Sequence, residues 1–164
     1  MTPQETTPKR EVVLLADGQG EVIWFLDTLV TTKLSAADGG EYGLIEYRMA
    51  EGARTPFHRH QHEDESLYVL EGALRVVLEH RVLHAGPGAY VHLPRGHAHA
   101  LVADAATRAL VLSRPDGFVE FTRALGTPAQ TRELPPSNLP MPDMARLLEV
   151  AASFGIDILG PPPT

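Results

Sequence analysis

Short apolar runs, rich in β-branched and aromatic residues, follow one another along the first two thirds of the chain, with Gly, Pro and Asp between them. Runs of this composition and length are typical of β-strands. The predicted strands are residues 22–26, 29–34, 42–49, 67–70, 74–78, 90–93, 98–102 and 109–113. Many short strands at close, regular spacing predict an all-β sandwich or barrel whose edges are hidden by closure or by a double-sheet jelly roll.

The last third of the chain has a different pattern. Residues 115–126 predict a short helix that ends at a glycine, and the Pro-rich residues 128–140 predict an extended connector. Residues 142–155 predict a second helix, with Gly155 at its C-terminal cap. Its predicted apolar stripe consists of Met144, Leu147, Leu148, Ala151 and Ala152.

These patterns predict one domain. A chain of 164 residues is long enough to bury a substantial core, about 70% of the surface that its unfolded form exposes. Residues 1–10 are polar and are expected to be disordered, residues 11–114 to form the β-barrel, and residues 115–164 to pack on the barrel as a short helical extension of the same domain.

Composition narrows the class of protein. The net charge of −7 provides no electrostatic footprint for nucleic acid or anionic lipid. The absence of cysteine excludes disulfides, thiolate zinc sites and thiol nucleophiles. A polar N-terminus without an apolar signal core, and the lack of a membrane-length apolar run, predict a cytoplasmic protein with no membrane partner.

Two histidine clusters are the candidate chemistry of this chain. His58 and His60 are two residues apart, so a strand would present both imidazoles on one face. His99 comes from a separate run, introduced by the turn residues Pro94 and Gly96. Convergence of the two runs would give a metal site, although spacing alone does not prove that they meet.

A carboxylate would complete this set. Glu65 has the same strand parity as Leu67 and Val69, whose side chains are expected to point into the barrel. Asp64 is the alternative if the preceding turn shifts by one residue. Three imidazoles and one carboxylate suit one divalent transition metal, Ni, Mn, Fe, Co or Zn, and would leave two octahedral positions open for chemistry.

Other polar and aromatic residues are weaker candidates. Among the remaining histidines, His62 is expected in solvent or hydrogen-bonded to a ligand residue, His97 in a loop at the barrel mouth, and His80 and His84 in an exposed hairpin. A core or interface position is the expectation for four aromatic residues, Trp24, Phe25, Tyr47 and Tyr68. Phe118 and Phe121 are expected either to pack the first helix or to cover the barrel mouth.

The two histidine-bearing stretches resemble the paired motifs of the cupin superfamily. The first fits Gly-x5-His-x-His-x4-Glu-x6-Gly and the second fits Gly-x5-Pro-x-Gly-x2-His. The matching residues are Gly52, His58, His60, Glu65 and Gly72, then Gly88, Pro94, Gly96 and His99. Ala103 stands where the second motif usually ends in Asn, which is not a ligand. The resemblance implies a jelly-roll β-barrel (double-stranded β-helix) with a metal inside it.

A closer resemblance is to single-domain bacterial cupins similar to quercetin 2,3-dioxygenases. It is carried by residues 20–26, by residues 62–72 and by the tail, residues 142–160. It implies a metal-dependent dioxygenase that uses dioxygen to cleave an enolic aromatic substrate such as a flavonol. In that reading, the three histidines of the motifs hold the metal, and Glu65 is both ligand and catalytic base. A homodimer is expected, partly from the resemblance and partly because the apolar N-terminal segment could pair with a neighbour's sheet edge.

Two other functions remain open at this point. One is a metal-holding cupin that binds or senses a small molecule without turnover. The other is a cupin isomerase or decarboxylase acting on a small acid or sugar, which a basic cluster inside the barrel would support. The nearby candidates for such a cluster are Arg54, Arg59, Arg75 and Arg95.

Overall fold

The structure, a computed structural model, describes residues 11–164 and consists mainly of two antiparallel β-sheets. The prediction of disorder for residues 1–10 lies outside the described residues. The strands are β1 Glu21–Phe25, β2 Thr28–Leu34, β3 Gly43–Met49, β4 Phe57–His60, β5 Asp64–Glu71, β6 Leu74–Leu78, β7 Val82–Ala85, β8 Tyr90–Leu93, β9 His99–Ala103, β10 Thr107–Arg114, β11 Thr127–Pro128 and β12 Ile156–Gly160. The all-β prediction is confirmed.

The two sheets enclose the core between them. One sheet has the strand order β11-β1-β2-β3-β10-β5-β8 and the other β12-β4-β9-β6-β7. Alternate side chains of β10 are buried, and Val111 lies opposite Ile45 on one side and Leu67 on the other. Because strand side chains alternate between faces, this row points inward to meet the buried residues of the facing sheet, such as Val76.

Two helices form the predicted C-terminal extension, α1 Gly117–Leu125 and α2 Met144–Ser153. Helix α1 packs against β1, β3 and β10, and α2 contacts α1 and β12. The Asp143 side chain caps α2 by accepting a hydrogen bond from the backbone N–H of Arg146 (2.7 Å). The division of the chain at residue 114 stays a prediction.

The predicted apolar stripe of α2 is wrong in part. Leu147 and Ala151 are buried as expected, but Met144 and Leu148 are 62% and 44% exposed, Ala152 is also exposed, and Val150 is buried instead. The ring of Phe154, just beyond the helix, packs on Phe121 with 6.0 Å between centroids. Leu147, Val150 and Ala151 form the buried face, which is rotated from the predicted one, and Phe154 continues it.

Strand β12 was absent from the predicted elements, and it supports the histidine-bearing strand. It pairs with β4 so that Ile156 lies opposite His60 and Ile158 opposite His58. Gly155 directly before it has a φ of 68°, a left-handed conformation that glycine adopts readily, and this residue ends α2 and redirects the chain into the strand. Within residues 11–164, no helix has the length and apolar character needed to cross a membrane.

Candidate metal centre

Pairing of β4 with β9 brings the two histidine clusters together. His58 lies directly opposite His99 in this ladder. The ring of His60, two residues along β4, is nearly parallel to that of His99, with 5.9 Å between centroids. His58, His60 and His99 are all buried, so the prediction that His58 and His60 share one strand face is confirmed.

The facing sheet supplies the carboxylate. Glu65 is buried on β5, with Leu67 and Val69 on the same face, as its strand parity predicts. One donor atom from each of His58, His60, Glu65 and His99 lies within 4.8 Å of the others. These four buried residues could therefore hold a metal ion.

Hydrogen bonds at the outer nitrogens orient two of the three rings. The Nδ1 atoms of His58 and His99 lie 2.8 and 3.0 Å from the backbone oxygens of Pro56 and His97. A carbonyl oxygen only accepts, so each Nδ1 carries a proton, which leaves Nε2 as the nitrogen of each ring that can bind a metal. This is the tautomer that a metal-ligating histidine requires.

An orphaned atom tests whether the residues fit a metal. The Nε2 of His60 is buried and makes no hydrogen bond of acceptable geometry, although it lies 3.3 Å from the Glu65 carboxylate. The Nε2 of His99 lies 3.2 Å from the same oxygen of Glu65. Buried polar atoms are rarely left without a partner. A divalent cation bound between these side chains would be a partner for the Nε2 of His60, so the donor set fits a transition metal.

The pKa values of the side chains in this centre shift in different directions. Burial, reinforced by nearby His99 and His60, lowers the pKa of His58 to about 3, so this ring is neutral. Burial also acts to lower the pKa of His60, but the hydrogen bond with Glu63 and the charge of nearby Glu65 outweigh it and raise that pKa to about 9. Burial acts to raise the pKa of Glu65, yet the contacts with His60 and His99 hold it well below its usual range. Without a metal, the centre therefore keeps a proton on His60 beside an ionised Glu65.

A pocket adjoins the centre, and His58 and Glu65 form part of its wall. The rest of the wall is mostly apolar. Its members include Phe25, Leu26, Leu101, Phe118, Phe121 and Ile156. Tyr47 and Thr55 add hydroxyl groups. Burial, followed by the charges of Asp27 and Glu65, raises the pKa of Tyr47, so its hydroxyl stays protonated at neutral pH.

The alternative carboxylate lies outside the centre. Asp64 accepts hydrogen bonds from the backbone N–H and the guanidinium of Arg95 at 3.0–3.1 Å. These bonds lower the pKa of Asp64 to about 2. Glu65, rather than Asp64, is the carboxylate that faces the three histidines.

The remaining histidines lie at the surface. The side chains of His62, His80, His84, His92 and His97 are exposed. His97 contributes its backbone oxygen to His99 rather than its side chain. The imidazole of His92 accepts or donates a hydrogen bond at the hydroxyl of Ser66 (3.0 Å), away from the centre.

Three residues have roles that the sequence analysis did not assign. Phe25 and Tyr47 were expected in the core or at an interface, but besides being buried they line the pocket. Glu63, which neither histidine cluster singles out, is buried and contacts the Nδ1 of His60 through its Oε2 at 3.2 Å. Its parity with Glu65 was a signal that could have identified it.

Comparisons with known proteins agree with this geometry. Residues 45–113 match the family described as Cupin domain. Over 97 residues the chain is 26% identical to the quercetin 2,3-dioxygenase of Bacillus subtilis (strain 168). This match covers 58% of this chain and 29% of that enzyme. The chain thus matches less than a third of the length of that relative.

Solved structures share the fold. Ectoine synthase from P. lautus superposes with a TM-score of 0.58 at 19% identity, covering 73% of this chain and 86% of that one. KdgF from Halomonas sp. has a TM-score of 0.50 at 22% identity, covering 54% and 81% respectively. The two-sheet jelly roll, the paired motifs on it and the matched domain together show a cupin-type fold, with the cupin domain match at residues 45–113.

Proposed function

We propose that this protein is a metal-dependent dioxygenase that acts on an uncharged, enolic aromatic compound such as a flavonol. The observation that carries the proposal is that His58 and Glu65 form part of the wall of a largely apolar pocket. The similarity to a quercetin dioxygenase supports the same reading.

The residues of the centre have two roles, metal binding and proton transfer. His58, His60 and His99 would hold one divalent ion, Ni, Mn, Fe, Co or Zn, with Glu65 as the fourth ligand. A bound divalent metal supplies Lewis acidity that lowers the pKa of an enolic hydroxyl. Glu65 is ionised at neutral pH, so its carboxylate oxygen can accept the proton that the substrate hydroxyl loses.

The pocket walls select and orient the substrate. The Tyr47 hydroxyl supplies a hydrogen-bond donor for a substrate oxygen, since it keeps its proton at neutral pH. Phe118 and Phe121 supply flat apolar surfaces for an aromatic ring. These walls also exclude water, which strengthens the electrostatic interactions of the centre.

The charge of the pocket argues against an acid or sugar-phosphate substrate. Among the described residues, no lysine or arginine lines it. The arginines considered for a basic cluster have partners elsewhere: Arg54 with the Pro163 oxygen, Arg59 with Asp157, Arg75 with Asp104 and Arg95 with Asp64. An anionic ligand would be desolvated there without a counter-charge, which disfavours the isomerase and decarboxylase readings.

Aerobic incubation with quercetin tests the proposal. Protein loaded in turn with nickel, cobalt, manganese and iron is mixed with the flavonol, and its absorbance, dioxygen uptake and carbon monoxide release are followed. We expect consumption with at least one metal, and the same consumption by Asp64→Asn, whose side chain lies outside the centre. No loss of absorbance with any metal contradicts a flavonol dioxygenase. A shifted spectrum without consumption would indicate a cupin that binds its ligand without turnover.

We also propose that the protein is a homodimer. Tyr68 and Tyr90 are direct partners across β5 and β8 and are 45% and 64% exposed on the outer face of the larger sheet. The N-terminal residues Val12 and Leu14 are 99% and 90% exposed. A second copy could cover both apolar surfaces. Light scattering should give a mass of about twice 17.8 kDa, reduced by Tyr90→Lys, and a monomer mass for the unaltered chain would contradict the proposal.

A further inference from the structure

Glu63 joins two parts of the molecule that are distant in sequence. It is buried, with 3% of its surface exposed. One carboxylate oxygen lies 3.2 Å from the Nδ1 of His60, a candidate metal ligand. The other accepts a hydrogen bond from the backbone N–H of Phe118 at 2.8 Å. The side chain thus uses both oxygens and bridges β4 to the first turn of α1.

The helix held in this way forms part of the pocket. The rings of Phe118 and Phe121 line the pocket, and the Phe118 ring lies edge-on to that of His60 with 5.7 Å between centroids. The carboxylate also sits close against Gly117, because a Cβ added there would lie 2.7 Å from the Oε1 of Glu63. The space that a side chain would fill at residue 117 is therefore taken up by Glu63.

We propose that Glu63 is a positioning residue that holds His60 in the metal-binding tautomer and fixes the start of α1, so that the metal centre and the pocket wall form one unit. The inference rests on the metal site of the proposed function but not on its reaction. A carboxylate that orients a metal-ligating histidine is a common source of metal affinity.

The two neighbours of Glu63 explain why a carboxylate is needed. Both His60 Nδ1–H and the Phe118 N–H are donors, so the side chain between them must accept at both ends. A glutamine has the same size but one acceptor oxygen. If that oxygen stays with Phe118, the amide N–H faces Nδ1 of His60, which must then accept and carry its proton on Nε2. If the amide flips, two donors oppose each other at the start of the helix.

Metal binding gives the first test. Co²⁺ is titrated into Glu63→Gln and followed by its visible absorption, which reports the ligand set as well as the affinity. We expect the affinity to fall about 10–100-fold and the spectrum to change as His60 is lost as a ligand. Asp64→Asn is the matched control, since it removes the neighbouring carboxylate, which pairs with Arg95 instead. If Glu63→Gln has the affinity and spectrum of this control, the proposal is wrong.

A mutant cycle at Gly117 tests the link to the helix without metal or turnover. Alanine at residue 117 would place its Cβ against the Glu63 carboxylate. Gly117→Ala should therefore lower the free energy of unfolding of the metal-free protein when Glu63 is present. In a Glu63→Ala background the carboxylate is absent, so the Cβ at residue 117 meets no close atom of residue 63. Gly117→Ala should then leave the free energy of unfolding unchanged or raise it, because alanine favours helix.

The outcomes separate this inference from the proposed function. Equal effects of Gly117→Ala in both backgrounds would overturn the link between Glu63 and the helix. If Glu63→Ala does not fold, the Co²⁺ comparison of Glu63→Gln with Asp64→Asn decides the proposal alone. Failure to consume any flavonol would end the dioxygenase assignment while leaving the binding and unfolding results to stand.

Discussion

His58 and His99 face each other across β4 and β9, with 4.4 Å between their ring centroids. This single cross-strand pair is what joins the two sequence motifs, because antiparallel partners project their side chains to the same side of the sheet. Glu65 then reaches the pair from the opposite sheet. The centre therefore depends on the packing of both sheets.

Removal of His99 should abolish stoichiometric metal binding. His99→Ala deletes one of four close donors and leaves three, so the ion should bind more weakly and be lost on dialysis. Elemental analysis after dialysis against metal-free buffer measures the loss. His80→Ala is the control, since His80 is exposed and should leave the metal content unchanged. Full metal content in His99→Ala would place the site elsewhere.

Removal of the metal should lower the melting temperature. An ion that binds only the folded state at 100 times its dissociation constant stabilises that state by about 2.7 kcal/mol. For a domain of this length, that corresponds to about 5–10 °C. Thermal unfolding with and without Zn²⁺ measures the difference. The His99→Ala variant should show no zinc-dependent shift, and an equal shift in that variant would indicate nonspecific binding.

Metal affinity should rise with pH. His60 has a pKa of about 9 in the metal-free protein, above its ordinary value, so the proton on this ring stabilises the metal-free fold fully below about pH 6.5. That contribution is lost as pH rises through about 9. Since the proton and the metal compete for the ring, affinity should increase up to tenfold per pH unit until about pH 9 and then level off.

Calorimetry checks the same competition directly. Zn²⁺ is titrated at pH 7 in buffers of different ionisation enthalpy, and the slope of the observed heat gives the protons released. We expect about one proton for each ion bound. A slope of zero, together with an affinity that does not change with pH, would contradict a protonated His60 in the metal-free centre.

Leu26 should lower the stability of the protein through its backbone conformation while its side chain shapes the pocket. It lines the pocket from the turn between β1 and β2 with a φ of 53°, a left-handed conformation that costs a non-glycine residue about 1–2 kcal/mol. Leu26→Gly and Leu26→Ala both remove the side chain, but only the glycine relieves the backbone. Chemical denaturation should show the glycine variant more stable than the alanine variant by about 1 kcal/mol.

Ligand binding separates the two contributions at Leu26. Both variants lose the same apolar wall, so both should bind an apolar ligand such as a flavonol more weakly, and to a similar degree. Fluorescence titration measures this. Unchanged affinity in both variants would mean that the Leu26 side chain does not contact the ligand.

The metal centre was predictable from the sequence to a large extent. The strand repeat of two residues places His58 and His60 on one face and aligns Glu65 with Leu67, so these orientations follow from spacing alone. The two helices also begin and end within two residues of their predicted limits, because glycine, proline and the Asp143 cap are local signals. Each of these features depends on residues close together in the chain.

Other features depended on how distant segments pack. The pairing of Asp64 with Arg95, which keeps that carboxylate out of the centre, and the packing of Phe154 on Phe121 beside the buried face of α2 are two such features. Neither contact can be predicted from the spacing of residues within one segment.

The sequence by itself determined which residues could form the centre, since the side-chain alternation of a strand is a property of the local backbone. Only the tertiary structure placed β12 beside β4 and Glu63 between His60 and Phe118. Those arrangements are set by long-range strand register and by the burial of polar groups that must find partners, and neither is encoded in the spacing of a single segment.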